Sequence, residues 1–298
     1  MAHQSNSRQW NDPWEWEIDW HLTNRCNFDC KYCHPQIRTM LNTNDGIEPT
    51  PVEAERAFSR LPPSLIHMSG GEPLLFPGFA DLCRRLCRRH WISINTNLTV
   101  GGEVDKLVQH VPAARVSRIA AALHTEERQR NGLPLLEFAR NVVVLQDAGF
   151  PVSALYVLHP TLLELAAIEI PQLRSLGVKR VDAKLFKGVY DKKRYPDAYS
   201  PRERDAIQHL KNDYRYVDAY LEQDLGSFKG TPCTAGRTSF KVSVNGDVRR
   251  CASVSTSYGN LYNGTFNPET ADEECTARRV LVLSQCLRYS LINRGEAN

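Results

Sequence analysis

The sequence has no apolar run that approaches the roughly 20 residues needed to cross a bilayer. Its first residues, MAHQSNSRQWNDPWEWE, are polar and aromatic, and they lack the apolar stretch of a secretory signal peptide. Both absences predict a cytoplasmic protein without a membrane partner. In that reducing compartment, cysteines are more often metal ligands or reactive thiols than halves of disulfides.

A strong charge imbalance, internal repeats and low-complexity segments are missing as well. Lys and Arg number 37 against 34 Asp and Glu, so the formal net charge is only +3. An imbalance of this size does not favour nucleic acid or an acidic membrane surface as a partner. Composition therefore points to an ordinary globular protein.

Between residues 17 and 186, short apolar runs alternate with amphipathic runs. Strands are predicted at 17–23, 65–69, 91–97, 117–123, 152–159 and 180–186. Helices are predicted at 50–61, 77–90, 102–111, 133–149 and 162–176. Such strand–helix units predict an α/β fold with a parallel sheet that is doubly wound or curled into a partial (β/α)6 barrel. The sites of these folds lie at the carboxyl ends of the strands.

The alternation stops near residue 195. A polar, helix-prone segment follows at 200–225, and two alternating runs at 239–251 surround the hairpin signal Asn245-Gly246. A last amphipathic helix is predicted at 271–292. We therefore expect a polar extension at 1–15, a core domain at 16–195 and a small C-terminal α+β domain at 196–298.

Three of the nine cysteines lie together directly after the first predicted strand, in LTNRCNFDCKYCHP. Cys26, Cys30 and Cys33 have C-x3-C-x2-C spacing, which on a loop lets three thiolates converge on one metal centre. A structural zinc usually takes four ligands, commonly as two separated pairs, and this loop has no fourth cysteine. A four-iron cluster held by three cysteines leaves one iron open to a non-protein ligand. Unligated thiols and structural zinc remain alternatives, but the spacing favours the cluster.

A second motif, SGGEP, ends the second predicted strand. Gly70 and Gly71 allow close approach of the backbone to a ligand, and Glu72 offers an acceptor for an ammonium group. The two motifs together resemble those of the radical S-adenosylmethionine (SAM) enzymes. The signature of that family is C-x3-C-x2-C, usually with an aromatic residue before the last cysteine, here Tyr32. The resemblance covers roughly residues 16–190.

The resemblance implies a 4Fe–4S cluster whose open iron binds SAM, an electron donor such as flavodoxin or ferredoxin, and a partial barrel fold. Reductive cleavage of SAM would give a 5′-deoxyadenosyl radical that removes hydrogen from an unactivated carbon. The residues implied in cofactor binding lie at the ends of the first four strands: Tyr32, Gly70, Gly71, Glu72, Pro73, Asn95, Asn97 and His124.

The C-terminal segment contains a second group of cysteines: Cys233, Cys251, Cys275 and Cys286. The run PCTAGRTSFKVSVNGDVRRC resembles the start of the SPASM or twitch extensions of the same family. That resemblance implies an auxiliary 4Fe–4S cluster, and four cysteines favour the shorter twitch form. Cys275 and Cys286 are eleven residues apart, which matches one helix face but departs from the closer spacing of the family. Cys83 and Cys87, on an early predicted helix, are expected to be buried as small hydrophobic residues.

The auxiliary cluster suggests two reactions. If it accepts an electron from a substrate radical, the product is oxidised. If Cys251 or Cys286 is free of iron and returns a hydrogen atom, the substrate is epimerised. About 16 residues precede the first predicted strand, too few for a leader-peptide module, so we expect a small polar metabolite such as an amino sugar or aminocyclitol from antibiotic biosynthesis.

Three other functions remain open. A ribosomally made peptide is the main alternative substrate, to be epimerised or cross-linked. A zinc-ribbon-like binding module would explain cysteine clusters without catalysis, and it predicts colourless rather than brown protein. A nucleic-acid modifier is disfavoured because no basic and aromatic patch is present. The acidic trio Asp272, Glu273 and Glu274 is expected to complement the dipole of the last predicted helix rather than to bind a cationic substrate.

Overall fold

The computed structural model describes residues 12–33, 39–43, 46–211, 229–269 and 273–276. These residues form an α/β fold built on one large sheet with a parallel core, as predicted. Within them, no helix combines the length and the apolar character needed to cross a bilayer.

Six parallel strands form the centre of the sheet in the order in which they occur along the chain. They are β1 (Trp16–Thr23), β2 (Ser64–Gly70), β3 (Trp91–Thr96), β4 (Val116–Ala122), β5 (Val152–Leu158) and β6 (Val181–Leu185). All six agree with predicted strands to within two residues. Because they are parallel, their carboxyl ends meet at one edge of the sheet, which we call the rim.

Seven helices accompany the strands in the described part of the chain. They are α1 (Pro51–Phe58), α2 (Phe79–Leu86), α3 (Gly101–His110), α4 (Thr125–Arg130), α5 (Leu135–Asp147), α6 (Leu163–Ser175) and α7 (Pro201–Lys211). The α1 helix begins as predicted, with Pro51 in its first turn and with Thr50 and Glu53 forming a capping box. Helix α4 was not predicted, because its sequence TEERQR carries no apolar periodicity.

Neighbouring helices pack side by side and cover one face of the sheet. On that face alternate residues of each strand are buried; the Trp20 ring, for example, lies 4.7 Å from the ring of Phe58 in α1. The intervening residues point to the opposite side, which we call the inner face. Strand residues on the inner face include many polar groups, such as Asp19 and Asn95.

The sheet continues into the C-terminal part of the chain. The predicted hairpin is confirmed as β10 (Ser239–Val242) and β11 (Asp247–Cys251), and β12 (Val254–Asn260) follows. Strand β10 pairs in parallel with β1, so within the described ranges the sheet has nine strands in the order β12-β11-β10-β1-β2-β3-β4-β5-β6. A small hairpin, β7 (Gly188–Tyr190) with β8 (Lys193–Tyr195), follows β6.

The predicted helix at 271–292 is wrong at its start. Glu273–Glu274 form a short strand, β13, that pairs with β9 (Pro232–Cys233). The physical reason is the buried guanidinium of Arg250, which donates to the Glu273 carboxylate and to the carbonyls of Glu273 and Glu274 and so holds this segment extended. Residues 277–292 lie outside the described residues.

Candidate active site

The cysteine loop, residues 24–33, leaves the end of β1 at the rim. Cys30 is buried, whereas Cys26 and Cys33 are half-buried. A hydrogen bond of 3.0 Å from the amide of Cys33 to the carbonyl of Cys30 turns the loop back on itself. Burial raises the pKa of the Cys30 thiol, and the charges of Glu127 and of the other two cysteines raise it further. The three thiols are therefore close enough to interact.

Hydrogen bonds fasten the cysteine loop to neighbouring parts of the rim. The carbonyl of Arg25 accepts from the amide of Glu72, 2.7 Å away at the end of β2. The amide of Asp29 donates to the carboxylate of Glu127 in α4 over 3.0 Å. The loop conformation is thus set by residues far away in sequence.

The glycines of the SGGEP motif are required by this close approach. The amide of Gly71 donates to the carbonyl of Thr23 over 2.8 Å. A Cβ atom added to Gly71 would lie 2.1 Å from the carbonyl oxygen of Arg25, and one added to Gly70 would lie 2.4 Å from that of Thr23. Gly70 also has a φ of 138°, which side chains disfavour. The two glycines make room for the end of β1 and the start of the cysteine loop, and the ligand expected beside them from the sequence stays a prediction.

Glu72 is buried, and its carboxylate accepts hydrogen bonds from other residues of the protein. One oxygen accepts from the hydroxyl of Thr96 at 2.6 Å and from the amide of Leu74 at 3.0 Å, and the other accepts from the amide of Asn97 at 2.6 Å. Burial raises its pKa to about 7 even though these donors favour the charged form. The contact of Glu72 with an ammonium group, expected from the sequence, stays a prediction. Pro73 begins a 3-10 turn that the Glu72 side chain caps.

The two asparagines at the end of β3 lie in different environments. Asn95 is exposed on the inner face. Asn97 is buried, and its side-chain nitrogen donates to Asn27 of the cysteine loop over 3.0 Å. Asn97 therefore positions the loop, whereas Asn95 is available to a ligand.

An aromatic cluster surrounds the last turn of the cysteine loop. The Tyr32 hydroxyl lies 3.2 Å from Nδ1 of His124 at the end of β4, and the Tyr32 ring lies 5.7 Å from that of His159 at the end of β5. His159 in turn contacts Phe186 and Tyr190 beyond β6, with ring centroids 4.7 and 4.5 Å away. Burial, followed by the charge of Arg128, lowers the pKa of His124 to about 4, so it is neutral near pH 7.

Sequence reasoning missed Glu127, Arg128 and His159. The buried guanidinium of Arg128 donates to the carbonyls of Leu123 and Asn97, which join the ends of β4 and β3. The available signal was the charged run HTEERQR directly after a predicted strand. A charged run usually marks a solvated surface, and only the fold buries two of its charged members, Glu127 and Arg128.

Three described cysteines of the second group lie near each other. Cys233 is in β9, Cys251 ends β11, and Cys275 follows β13 and exchanges backbone hydrogen bonds with residues 230 and 231. Burial raises the pKa of the Cys233 thiol, and Cys275 and Cys251 contribute to that rise. Cys286 lies outside the described residues. Cys83 and Cys87 are buried in the core, as predicted.

The cysteine loop fits a cluster with three protein ligands. Its donors are thiols on one short loop, the ligand type of iron–sulfur clusters. In the part of the chain that the structure describes, no three His, Cys, Asp or Glu side chains converge on a site for a single metal ion. Thiolates that each bind a different iron atom of a cluster do not have to meet at one ion.

Comparison with known families and proteins finds relatives of this chain. Residues 20–167 match the family model of the Radical SAM superfamily. GTP 3′,8-cyclase of Pseudomonas savastanoi is 32% identical over 111 residues, which cover 37% of this chain and 33% of the cyclase. The probable GTP 3′,8-cyclase of Archaeoglobus fulgidus is 30% identical over 109 residues, which cover 37% of this chain and 36% of that protein. The matches thus span about a third of the length of these relatives.

Solved structures resemble a larger part of the fold. SuiB of Streptococcus suis bound to S-adenosylmethionine superposes with a TM-score of 0.57 at 16% identity, over 84% of this chain and 64% of that chain. Native anSMEcpe with bound AdoMet and a Cp18Cys peptide gives a TM-score of 0.54 at 17% identity, over 84% and 78% of the two chains. At such identities the likeness concerns the fold alone.

Proposed function

We propose that the protein is a radical SAM enzyme that removes hydrogen from an unactivated carbon of a small polar metabolite, with oxidation or epimerisation as the outcome. The match of residues 20–167 to the family model of the Radical SAM superfamily supports this proposal. Cys26, Cys30 and Cys33 would hold a 4Fe–4S cluster that also binds SAM. When bound, the pair supplies a 5′-deoxyadenosyl radical. A reduced flavodoxin or ferredoxin is the proposed electron donor.

The arrangement of the cysteine loop is the observation that carries the proposal. Three interacting thiols lie at the rim, and the loop is held by the ends of β2 and β3 and by α4. Rigid support of this kind preorganises ligands for a cofactor. The inner face beside the loop exposes Asn95, which is placed to contact a bound nucleotide or substrate.

The neighbouring side chains can position a substrate and exclude water. The rings of Tyr32, His124 and His159 shield the loop on the side of β4 and β5. A dry site protects a reactive radical from side reactions. Because His124 is neutral near pH 7, its ring adds no positive charge beside the cluster.

We further propose an auxiliary 4Fe–4S cluster on Cys233, Cys251, Cys275 and Cys286. The proximity of the first three thiols supports it. With four protein ligands the cluster would accept the second electron of an oxidation. If Cys251 or Cys286 is not a ligand, its thiol is a candidate hydrogen donor for epimerisation.

The substrate class has three candidates. An amino sugar or aminocyclitol is the class expected from the sequence, with a ribosomally made peptide as its alternative. A purine nucleotide is the third candidate, because the curated relatives are named GTP 3′,8-cyclases. Those matches cover only a third of the relatives, so the nucleotide enters as a compound to test rather than as an assignment.

Anaerobic reconstitution tests the proposal. The protein is incubated with dithionite and SAM in deuterium oxide, alone and with GTP, amino sugars or aminocyclitols, and 5′-deoxyadenosine is quantified. We expect 5′-deoxyadenosine from the parent and none from Cys26→Ala. Deuterium incorporated at one carbon would indicate epimerisation, and loss of two hydrogens would indicate oxidation. Protein that contains only zinc, or a variant as active as the parent, would refute the radical assignment.

A further inference from the structure

A chain of polar side chains crosses the lower part of the inner face, one from each strand of the parallel core. Its members, from β1 to β6, are Glu17, His67, Ser93, Arg118, Ser153 and Asp182. His67 lies 3.5 Å from the Glu17 carboxylate and 3.1 Å from the Ser93 hydroxyl. Arg118 donates to Asp182 over 2.9 Å and to Ser153 over 3.3 Å. Each of these six side chains contacts another polar member of the row, and the Arg118 guanidinium has Asp182 as its acidic partner.

Lys184 lies one step nearer the rim than Asp182, on the same face of β6. Its sequence neighbours Ala183 and Leu185 are buried in the core on the helix side, so the Lys184 side chain points to the inner face. The side chain is accessible to solvent, yet protein atoms surround it closely. The neighbouring inner-face residues of β5, Leu155 and Val157, are apolar.

The Lys184 ammonium has no acidic partner in the part of the chain that the structure describes. Among the described residues, no hydrogen bond or ion pair to Lys184 is formed, and the charge that it senses is the positive charge of Arg118. Asp182 does not neutralise Lys184, because its two carboxylate oxygens already form ion pairs with Arg118 and Arg180. Burial and then Arg118 lower the pKa of Lys184.

Lys187 is a second cation near Lys184. Lys187 follows the end of β6, and burial together with the charge of Lys184 lowers its pKa to about 8. An ammonium group among closely packed protein atoms without an acidic partner, as at Lys184, is costly for the folded protein, and a second cation nearby adds to that cost. Such a cost is typical of a binding site for a negatively charged group, because the bound group supplies the missing negative charge.

We propose that Lys184, assisted by Lys187, binds an oxyanion group of the substrate, a phosphate or a carboxylate, on the inner face below the cysteine loop. This inference rests on the proposed function and narrows it: the substrate carries an acidic group, so a purely cationic aminocyclitol is disfavoured. The apolar surface of Leu155 and Val157 would pack against the carbon skeleton. The anchored group would fix which carbon faces the rim.

Anion binding to the reconstituted holoenzyme tests the inference. Titration calorimetry at constant ionic strength uses inorganic pyrophosphate in one arm and malonate in the other, so that the arms separate phosphate from carboxylate. We expect the parent to bind at least one probe, and Lys184→Met to weaken that binding about 10- to 100-fold, as expected for a charged hydrogen bond. Lys179→Met, which removes an exposed lysine just before β6, should bind like the parent.

A second measurement covers the case in which Lys184→Met does not fold. Acetylation of the parent, mapped by mass spectrometry, should be slowed at Lys184 but not at Lys179 when the bound probe is present. Equal binding by the parent and Lys184→Met, no binding of either probe, or unprotected Lys184 would overturn the inference. Formation of 5′-deoxyadenosine by the parent is scored separately, so failure of the anion site and failure of the radical assignment remain distinguishable.

Discussion

The two groups of cysteines are assembled in different ways. The first group lies within one loop of ten residues, and buried side chains and backbone groups from β2, β3 and α4 hold that loop. The three described members of the second group come from separate segments that the pairing of β9 with β13 and the guanidinium of Arg250 bring together. The first group is therefore local and heavily supported, whereas the second depends on a few long-range contacts. The following predictions test that contrast.

Loss of a ligand from the loop should have the largest effect. Cys30→Ala removes the buried thiol of the first group, and we expect loss of about four iron atoms per chain together with all cleavage of SAM. Cys83→Ala, which removes a buried thiol in α2, should keep iron and cleavage. Iron analysis and 5′-deoxyadenosine assays measure both. Equal iron in Cys30→Ala and the parent would contradict the assignment.

Removal of Arg250 should affect the second group alone. In Arg250→Met, the carboxylate of Glu273 and three backbone carbonyls lose their donor, so β13 and Cys275 should detach. We expect destabilisation of about 1–3 kcal/mol and loss of second-site iron, while SAM cleavage without substrate persists. Arg249→Met, at the exposed neighbouring position, is the control. Loss of iron from both sites would show that the two regions are not independent.

A smaller and partial effect is expected from Glu127→Gln. The change weakens the bond from the amide of Asp29 and the ion pair with Arg130, but it preserves the shape of the side chain. The cysteine loop should become more mobile, and iron should be lost from it several-fold faster on chelation, at a cost of about 1 kcal/mol. Glu164→Gln, at an exposed position of α6 away from the loop, should release iron at the parental rate. If both variants behave alike, the support from α4 is unimportant.

The smallest effect on the two groups of cysteines is expected from a substitution of His90, which lies outside both of them. Burial lowers its pKa to about 4. Between that value and about pH 6.5 the unfolded chain binds more protons than the folded protein, so the free energy of unfolding should fall by about 1–2 kcal/mol as the pH drops from 6.5 to 5.

Denaturant unfolding of the apoprotein at several pH values measures this slope. His90→Gln should reduce the slope, whereas His110→Gln, on the exposed end of α3, should leave it unchanged. Iron content of both groups should match the parent. An unchanged slope in His90→Gln would show that other groups cause the pH dependence.

Much of the core fold could be predicted because local patterns and tertiary environment agree there. Trp20 and its alternate neighbours in β1 are buried on one face, which is the alternation that the sequence displays. The Thr50 cap and the Asn245-Gly246 turn are local devices and formed as expected. The strand at Glu273–Glu274 and the burial of Glu127 and Arg128 could not be predicted, because each depends on partners more than twenty residues away.

The sequence by itself determined the order of strands and helices, the three-cysteine spacing and the glycines behind it, since each is encoded within a few neighbouring residues. Only the tertiary structure decided what those glycines approach and that the buried Glu72 carboxylate binds groups at the end of β3. It also decided that Lys184 lies on the inner face with no acidic partner among the described residues. The physical reason is that burial and charge pairing arise between segments that only the fold brings into contact.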